Sequence, residues 1–401
     1  MKKKLFALLF LITPMLTFAQ EKGLDQQIDE AFGSATGWFV NFIFYQIDFG
    51  GGIKVFWVLF PLIIGATYFT FYFKLINFRG FFTSINIVRG KYDHLDHHES
   101  LHGAGDLTEG DHIETIAIEG HEGEVSHFQA LTAALSATVG LGNIAGVAIA
   151  VSIGGAGATF WMIIAGFLGM ASKFVECTLG VKYRDIEEDG TVYGGPMYYL
   201  TKGLKSKGLG GLGKVLAVLF AIFVIGGSFG GGNMFQVNQA FQLVENITGG
   251  NDSFLHGKGW LFGLVMSVLV GIVIIGGIKK IAKVTDKIVP FMVVIYVAAS
   301  LFVIIAKYDL IGSAFAAIWN GAFSPEGIAG GIVGVLVQGF RRAAFSNEAG
   351  VGSSSIAHSA VKTKYAASEG LVALLEPFID TVVVCTMTAL VLIITGFVDP
   401  L

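Results

Sequence analysis

Charged residues are scarce in this chain of 401 residues, where Asp, Glu, Lys and Arg together make up 14%. A soluble domain carries roughly 25% charged residues, so much of the surface of this protein must face something other than water. Hydrophobic residues make up 53% of the sequence, and the mean hydropathy is +0.68. The net charge of −4 argues against a nucleic-acid partner. The composition therefore indicates an integral membrane protein.

Cysteine and proline are also rare, with 2 and 7 residues respectively. Cys177 and Cys385 both lie in apolar runs, which excludes a disulfide framework and predicts two buried free thiols. No metal-ligand motif can be built from them. Glycine, by contrast, is abundant at 55 residues, and glycine is favoured where transmembrane helices pack closely.

Residues 1–19 have the pattern of a secretory signal peptide. Three lysines at positions 2 to 4 precede the apolar stretch 5–16, which is too short to cross a bilayer comfortably, and Ala19 ends a run suited to cleavage. Cleavage after Ala19 would leave the mature N-terminus outside the cytoplasm. The alternative is an uncleaved short anchor.

Eight further segments are apolar and long enough to cross a bilayer, which takes about 20 residues. The predicted spans are 54–76, 128–152, 157–181, 214–244, 259–278, 287–306, 328–355 and 368–397. Loops rich in Lys and Arg alternate with poor loops through all of these spans, and the rich loops are expected in the cytoplasm. The alternation predicts a multi-pass protein of the cell inner membrane with its mature N-terminus outside, which agrees with the signal peptide.

The long polar segment 77–127 is predicted to be a cytoplasmic, acidic loop. It contains seven of the nine histidines, which are His94, His97, His98, His102, His112, His121 and His127. A metal site or a pH sensor is one interpretation of this segment. A solvated loop without such a role is the other, because the spacings match no strong ligand pattern.

Span 128–152 contains a glycine cluster that is not typical of a plain transmembrane helix. Its middle, Thr138–Gly146, reads TVGLGNIAG and places three glycines and Asn143 at bilayer depth. Each glycine destabilises a helix by about 1 kcal/mol relative to alanine, and unwound backbone at that depth is tolerated only where it lines a cavity or is covered by protein. We therefore predict a break whose carbonyl groups can bind a cation and whose N–H groups can bind a carboxylate. Close helix packing through small residues is the alternative.

Span 328–355 contains a second cluster, Phe345–Gly352, which reads FSNEAGVG. Its Glu348 is an ionisable group that is costly within a membrane, so a functional role is expected, with a structural salt bridge as the alternative. On the predicted topology the two clusters run in opposite directions. Such a pair is typical of an inverted-repeat transporter with its site near the midplane.

Three pairs of polar residues also lie in the predicted spans. Asn233 and Gln236, at i, i+3, share one helix face that can bind a substrate or a neighbouring helix. Lys173 and Glu176, also at i, i+3, predict a local ion pair. The third pair is Glu376 and Asp380, which indicates either a cation pathway or a polar helix start.

Several stretches together resemble the alanine or glycine:cation symporter family. They are ALSATVGLGNIAGVAIAVSIGGAGATFWM (134–162), KFVECTLGVKYR (173–184), GTVYGGPMYYL (190–200), GGGNMFQVNQA (230–240), FSNEAGVGSSSIAHSAVKT (345–363) and EPFIDTVVVCTMTALVLIITG (376–396). The resemblance covers nearly all of residues 54–396. It implies an all-α polytopic membrane protein with a leucine-transporter-type inverted-repeat (5+5) fold and an extra N-terminal helix.

This fold implies a division of the chain into segments. Residues 20–53 would be a periplasmic segment, 54–76 the extra helix, 128–306 the first five-helix repeat and 328–397 the first two helices of the second repeat. The second repeat is then incomplete before Leu401, so the chain is expected to be a fragment or a natural C-terminal truncation.

The same resemblance implies symport of a small neutral amino acid, alanine or glycine, with Na+, without a cofactor and without enzymatic activity. The substrate contacts that it implies are Thr138, Gly140, Gly142, Asn143, Gln236, Phe345, Ser346 and Asn347. Candidates for cation coupling are Asn143, Glu348 and Ser353, because hard cations prefer oxygen ligands. The alternatives are a proton-coupled amino-acid transporter and a cation channel.

Overall fold

The computed structural model describes residues 24–50, 54–92, 123–323 and 331–397. The predicted signal peptide lies outside these ranges, as do six of the seven histidines of segment 77–127, all except His127. The described chain is mostly helical, at 77%, which confirms the predicted all-α class. Within these ranges the β-structure consists of two small antiparallel sheets of two strands each and one isolated bridge.

Two compact units make up the chain, Met1–Phe60 and Pro61–Leu401. The described elements of the first unit are helix α1 (Leu24–Ile43), strands β1 (Gln46–Asp48) and β2 (Lys54–Phe56), and the start of helix α2 (Leu59–Tyr72). Strand β1 pairs with β2 so that Ile47 lies opposite Val55. The indole N–H of Trp57 donates to the carbonyl of Phe42 at 2.7 Å, which fastens the second strand to the end of α1.

The second unit is a bundle of helices, several of them interrupted. Its helices are α3 (Ile76–Arg79), α4 (Phe81–Val88), α5 (His127–Thr138), α6 (Ala145–Gly154), α7 (Ala158–Lys182), α8 (Pro196–Ser206), α9 (Gly210–Gly227), α10 (Phe235–Ile247), α11 (Gly259–Ile274), α12 (Gly277–Ala306), α13 (Ile311–Phe323), α14 (Gly331–Asn347), α15 (Ser354–His358), α16 (Ala366–Ala373), α17 (Leu375–Pro377) and α18 (Thr386–Thr395). Short 3-10 turns are present at Gly250–Asp252 and Tyr308–Leu310. Two π-helical segments, Ser228–Met234 and Phe378–Cys385, join α9 to α10 and α17 to α18. Strands β3 (Asp185–Ile186) and β4 (Val192–Tyr193) form the second small sheet, after α7.

Local sequence explains where these helices begin. The hydroxyl of Ser126 accepts from the backbone N–H of Gln129, and the side chain of Gln129 accepts from the backbone N–H of Ser126. This capping box starts α5 where the polar segment 77–127 gives way to the apolar run. Pro196 occupies the first turn of α8, where its missing N–H costs no helical hydrogen bond.

Within the described ranges, four helical stretches are long and apolar enough to cross a membrane, namely Ala158–Lys182, Gly210–Ile247, Gly277–Ala306 and Ala366–Thr395. Each overlaps a predicted span, although Gly277–Ala306 begins before the predicted span 287–306, and together they support a multi-pass membrane protein. Many apolar side chains of the second and third stretches are exposed, among them Ile222 and Phe302. Such exposure is expected of surfaces that face lipid.

The main hydrophobic core of the second unit lies between α6, α7, α13, α14 and α18. Val147, Met162, Ile318, Val335 and Ile393 are buried there. Small residues allow the close approach of α7 and α14, since a Cβ atom at Gly339 would lie 2.6 Å from the Cβ of Trp161. This packing holds α14, which carries the second glycine cluster, against the long helix α7.

Candidate functional site

The first predicted break is present between the end of α5 at Thr138 and the start of α6 at Ala145. The side-chain oxygen of Asn143 accepts from the backbone N–H of Gly140 at 2.7 Å. The side-chain oxygen of Gln236 accepts from the N–H of Leu141 at 3.3 Å. Side chains thus replace helical hydrogen bonds that the break removes, which is how unwound backbone is tolerated inside a membrane protein.

The second predicted break separates the end of α14 at Asn347 from the start of α15 at Ser354. Gly350 and Gly352 have φ angles of +86° and +93°, a conformation that glycine adopts without steric cost. The side-chain oxygen of Asn347 accepts from the N–H of Ala349 at 3.0 Å. This break is therefore also fastened by an asparagine side chain.

The two breaks lie against each other. A Cβ atom at Gly142 would lie 3.3 Å from the Cα of Ser346, and the amide of Asn143 donates to the hydroxyl of Ser346 at 3.1 Å. Both side chains are buried. The structure thus brings together residues of the two glycine clusters that the sequence analysis paired.

A carboxylate joins the two breaks at this point. Asp380, from the π-helical segment Phe378–Cys385, accepts from the Asn143 amide at 2.6 Å, and from the hydroxyls of Ser346 and Thr381 at 2.8 Å each. Asp380 is fully buried, at 0% exposure. In the described part of the chain no Lys, Arg or His nitrogen lies within ion-pair distance of it. A buried carboxylate with neutral partners is costly unless a cation or a proton compensates its charge.

The surroundings of Asp380 are rich in acceptor atoms. The NH2 group of Asn143 has two hydrogens, yet the backbone and side-chain oxygens of Asp380, the hydroxyl of Ser346 and the sulfur of Cys385 all lie within 3.3 Å of it. It cannot donate fully to all of them. An oxygen-rich cluster of this kind suits a hard cation.

The remaining predicted substrate contacts lie at the edges of this region. Thr138 is buried immediately before the first break, and Asn347 donates to the hydroxyl of Thr381 at 2.9 Å. Phe345 is 45% exposed, and its ring packs edge-on against Phe235. Phe345 is therefore more exposed than Asn143 and Asp380, which are buried.

Two of the three predicted cation-coupling residues pair with each other. The hydroxyl of Ser353 donates to the carboxylate of Glu348, and within the described ranges no hydrogen bond joins either residue to Asn143. Arg342 forms no ion pair with Glu348 in these ranges. Its guanidinium lies over the ring of Phe345 instead, 5.2 Å from the centroid.

Asp380 and Thr381 were not among the residues predicted for the site. The sequence left two roles open for Asp380, part of a cation pathway or part of a polar helix start, because its i, i+4 spacing from Glu376 fits both. The signal that could have singled it out is its place inside the apolar run FIDTVVVCTMTALVLIITG. A π-helical turn, which often marks a functional site, cannot be read from that run.

Known proteins resemble this chain closely. The profile of the sodium:alanine symporter family matches residues 41–400. The chain is 45% identical over 279 residues to the sodium/alanine symporter AgcS of Methanococcus maripaludis, which is 69% of this chain and 59% of that protein. It is 34% identical over 338 residues to the amino-acid carrier protein AlsT of Bacillus subtilis, which is 84% of this chain and 64% of that protein. An uncharacterized transporter of Haemophilus influenzae is 41% identical over 283 residues, which are 69% of this chain and 59% of that protein. The chain therefore spans less than two thirds of the length of these relatives.

Proposed function

The chain belongs to the sodium:alanine symporter family, and we propose that it carries a small neutral amino acid, alanine or glycine, across the cell inner membrane together with Na+. The proposed architecture is the leucine-transporter-type inverted repeat, with 54–76 as the extra helix, 128–306 as the first repeat and 328–397 as the start of the second. The proposed orientation places the N-terminus outside after removal of residues 1–19.

The observation that carries this proposal is the buried carboxylate of Asp380 at the meeting point of the two breaks. Na+ would be held by Asp380 together with the hydroxyls of Ser346 and Thr381, all of which are oxygen ligands. The Asn143 amide donates to the same carboxylate at 2.6 Å, which would orient the carboxylate towards the ion. The charge of Na+ would then compensate a carboxylate that otherwise has neutral partners.

The amino acid would lie beside this ion in the break between α5 and α6. The N-terminal end of α6 offers free N–H groups and a positive dipole end to the substrate carboxylate. Gly140 and Gly142 would contact the substrate through their backbone, and Gln236, whose side-chain oxygen lies 3.4 Å from the position of a Cβ atom at Gly140, would contact it through its side chain. Na+ next to the carboxylate lowers the cost of removing it from water, so that the two solutes would bind together and cross by alternating access.

Uptake of labelled alanine into proteoliposomes containing the full-length protein tests the proposal. We expect saturable uptake that is stimulated by an inward Na+ gradient and inhibited by unlabelled glycine. A choline gradient of the same size is the control. Uptake that is indifferent to every cation gradient would overturn the symport mechanism, and flux that does not saturate with alanine would favour a channel.

A further inference from the structure

A chain of ionisable side chains is buried in the second unit, outside the site described above. It runs through α5, α7, α15, α16 and α17. Its members are His127, Lys173, Glu176, His358, Glu369 and Glu376, none of them more than 8% exposed. We call this chain the His358 network. Buried ionisable groups in a membrane protein are costly and are typically functional.

His358 lies at the centre of the network, between two carboxylates. Hydrogen bonds join its Nδ1 to Glu369 and its Nε2 to Glu376. A carboxylate can only accept, and a neutral imidazole has a single N–H. One of these two contacts therefore requires an additional proton, either on the ring or on a carboxyl group.

The charge of the network leads to the same conclusion. Its three carboxyl groups, from Glu176, Glu369 and Glu376, face a single lysine, Lys173, which lies 2.9 Å from Glu376 and 3.6 Å from Glu176. With both histidines neutral and all three acids ionised, the buried cluster would be negative, which is strongly unfavourable in a low dielectric. Protons shared among the histidines and carboxyl groups remove this excess charge.

The contacts are continuous from one end of the network to the other. Glu369 contacts His127 with one oxygen and His358 with the other. Glu376 likewise contacts His358 with one oxygen, and Lys173 and the hydroxyl of Ser354 with the other, the latter at 2.8 Å. An imidazole can accept a proton at one nitrogen and release one from the other, so a proton can cross His358 without an intervening water molecule.

The two ends of this path lie in different surroundings. His127 is the first residue of α5 and follows the exposed Ser126. Glu376 lies one helical turn before Asp380, on the same side of the chain. A positive ion bound at Asp380 would therefore lie close to the network and would repel its positive charge. This repulsion favours release of a proton from the network.

We propose that the His358 network is a proton-binding site linked to the cation site at Asp380, and that it releases a proton when Na+ binds. In the transfer step the Nδ1–H bond of the doubly protonated His358 ring breaks as an O–H bond forms on Glu369, while the Nε2–H bond stays intact and donates to the ionised carboxylate of Glu376. The proton on Glu369 then leaves through His127, whose ring accepts it at Nδ1 and gives up its Nε2 proton to water. The inference rests on the proposed function, because it takes Asp380 as the Na+ site.

Other titratable groups face His358 and belong to the same balance of charge. The sulfur of Cys177 on α7 and atoms of His358 and Glu376 lie within 4.8 Å of one another. Tyr199 of α8 bonds to Ser355, which lies three residues before His358. Linkage between these groups and Na+ is reciprocal: since Na+ expels a proton, Na+ must bind more tightly as the pH rises.

Proton release is measured with a pH dye in a weakly buffered detergent solution of the full-length protein, on addition of NaCl or of choline chloride. Binding of radioactive Na+ is measured on the same sample. We expect NaCl alone to release protons from the wild type, and His358→Gln and Glu369→Gln to bind Na+ without this release. His256→Gln is the matched control, because His256 is exposed and paired with one carboxylate, that of Glu245, at 2.9 Å.

The outcomes separate the two proposals. If no Na+ binds to the wild type, the proposed cation site is wrong. If Na+ binds without proton release, or if His358→Gln releases protons as the wild type does, the inference is wrong and the cation site stands. Should both variants fail to fold, the Na+-induced infrared difference spectrum of the wild type decides: bands that shift on isotope labelling of histidine are expected, and their absence overturns the inference.

Discussion

The side-chain amide of Asn143 donates a 2.6 Å hydrogen bond to the carboxylate of Asp380, across 237 positions of sequence. The oxygen of the same amide accepts from the backbone of Gly140. One side chain therefore holds both the unwound backbone of the first break and the buried carboxylate. A change at either residue is expected to affect the other, since a hydrogen bond to a charged group contributes about 1.5–3 kcal/mol.

Asp380→Asn should shift the Na+ dependence of transport to higher Na+ concentrations. The substitution keeps the size of the side chain but removes the negative charge that would attract the cation. We expect the Na+ concentration for half-maximal alanine uptake to rise by at least about tenfold, which corresponds to about 1.4 kcal/mol. The measurement is alanine uptake into proteoliposomes over a series of Na+ concentrations.

Asp309→Asn is the matched control for this substitution, because Asp309 lies exposed in the 3-10 turn Tyr308–Leu310. It should leave the Na+ dependence unchanged. Equal Na+ dependence in the wild type and in Asp380→Asn would show that the cation binds elsewhere.

Asn143→Ala should abolish saturable alanine uptake while protein abundance stays unchanged. The substitution leaves the N–H of Gly140 without its acceptor and Asp380 without its closest donor. The measurement is the concentration dependence of uptake, alongside an immunoblot of the membrane fraction. Asn251→Ala, at an exposed asparagine, should transport normally, and normal transport by Asn143→Ala would show that our site assignment is wrong.

The positions of the two breaks could be predicted from the sequence. The contact between the first break and Asp380 could not. Glycines beside Asn143 and Ser346 are a local signal, because several glycines in one apolar span weaken a helix whatever packs against it. The contact of Asn143 with Asp380 depends on how distant helices pack. The apolar run that follows Asp380 marks it as unusual, but nothing in the local sequence indicates which distant residue it contacts.

The same limit applies to Lys173. The spacing predicted a local ion pair with Glu176, and this pair is present at 3.6 Å. The shorter ion pair is the long-range contact with Glu376, at 2.9 Å. Sequence spacing along one helix indicates which residues share a face, but it carries no information about which residue of another helix that face meets.

Lys173→Met should destabilise the protein strongly. Lys173 and Glu376 are both at 0% exposure, and removal of one partner from a buried pair typically costs about 3–5 kcal/mol, because the other charge is left uncompensated. Lys202→Met is the control, since the Lys202 and Asp185 side chains are 39% and 50% exposed and such pairs contribute about 0–1 kcal/mol. In thermal unfolding in detergent, the melting temperature should fall strongly for Lys173→Met and only slightly for Lys202→Met. Equal losses would contradict the assignment of Lys173 to a buried ion pair.

Gly339→Ala should loosen the contact between α7 and α14. The added Cβ would lie 2.6 Å from the Cβ of Trp161 and 2.7 Å from the carbonyl oxygen of Ala158, so one helix must shift, and overpacking of this kind costs about 1–3 kcal/mol. Gly263→Ala, in the interior of α11, meets no atom within 4 Å and should be neutral or stabilising by up to about 1 kcal/mol, because alanine has the higher helix propensity. Melting temperatures of the two variants in the same detergent should therefore move in opposite directions or differ clearly. A Gly339→Ala variant as stable as the wild type would mean that the two helices can separate without cost, and α7 would then not hold the second break in place.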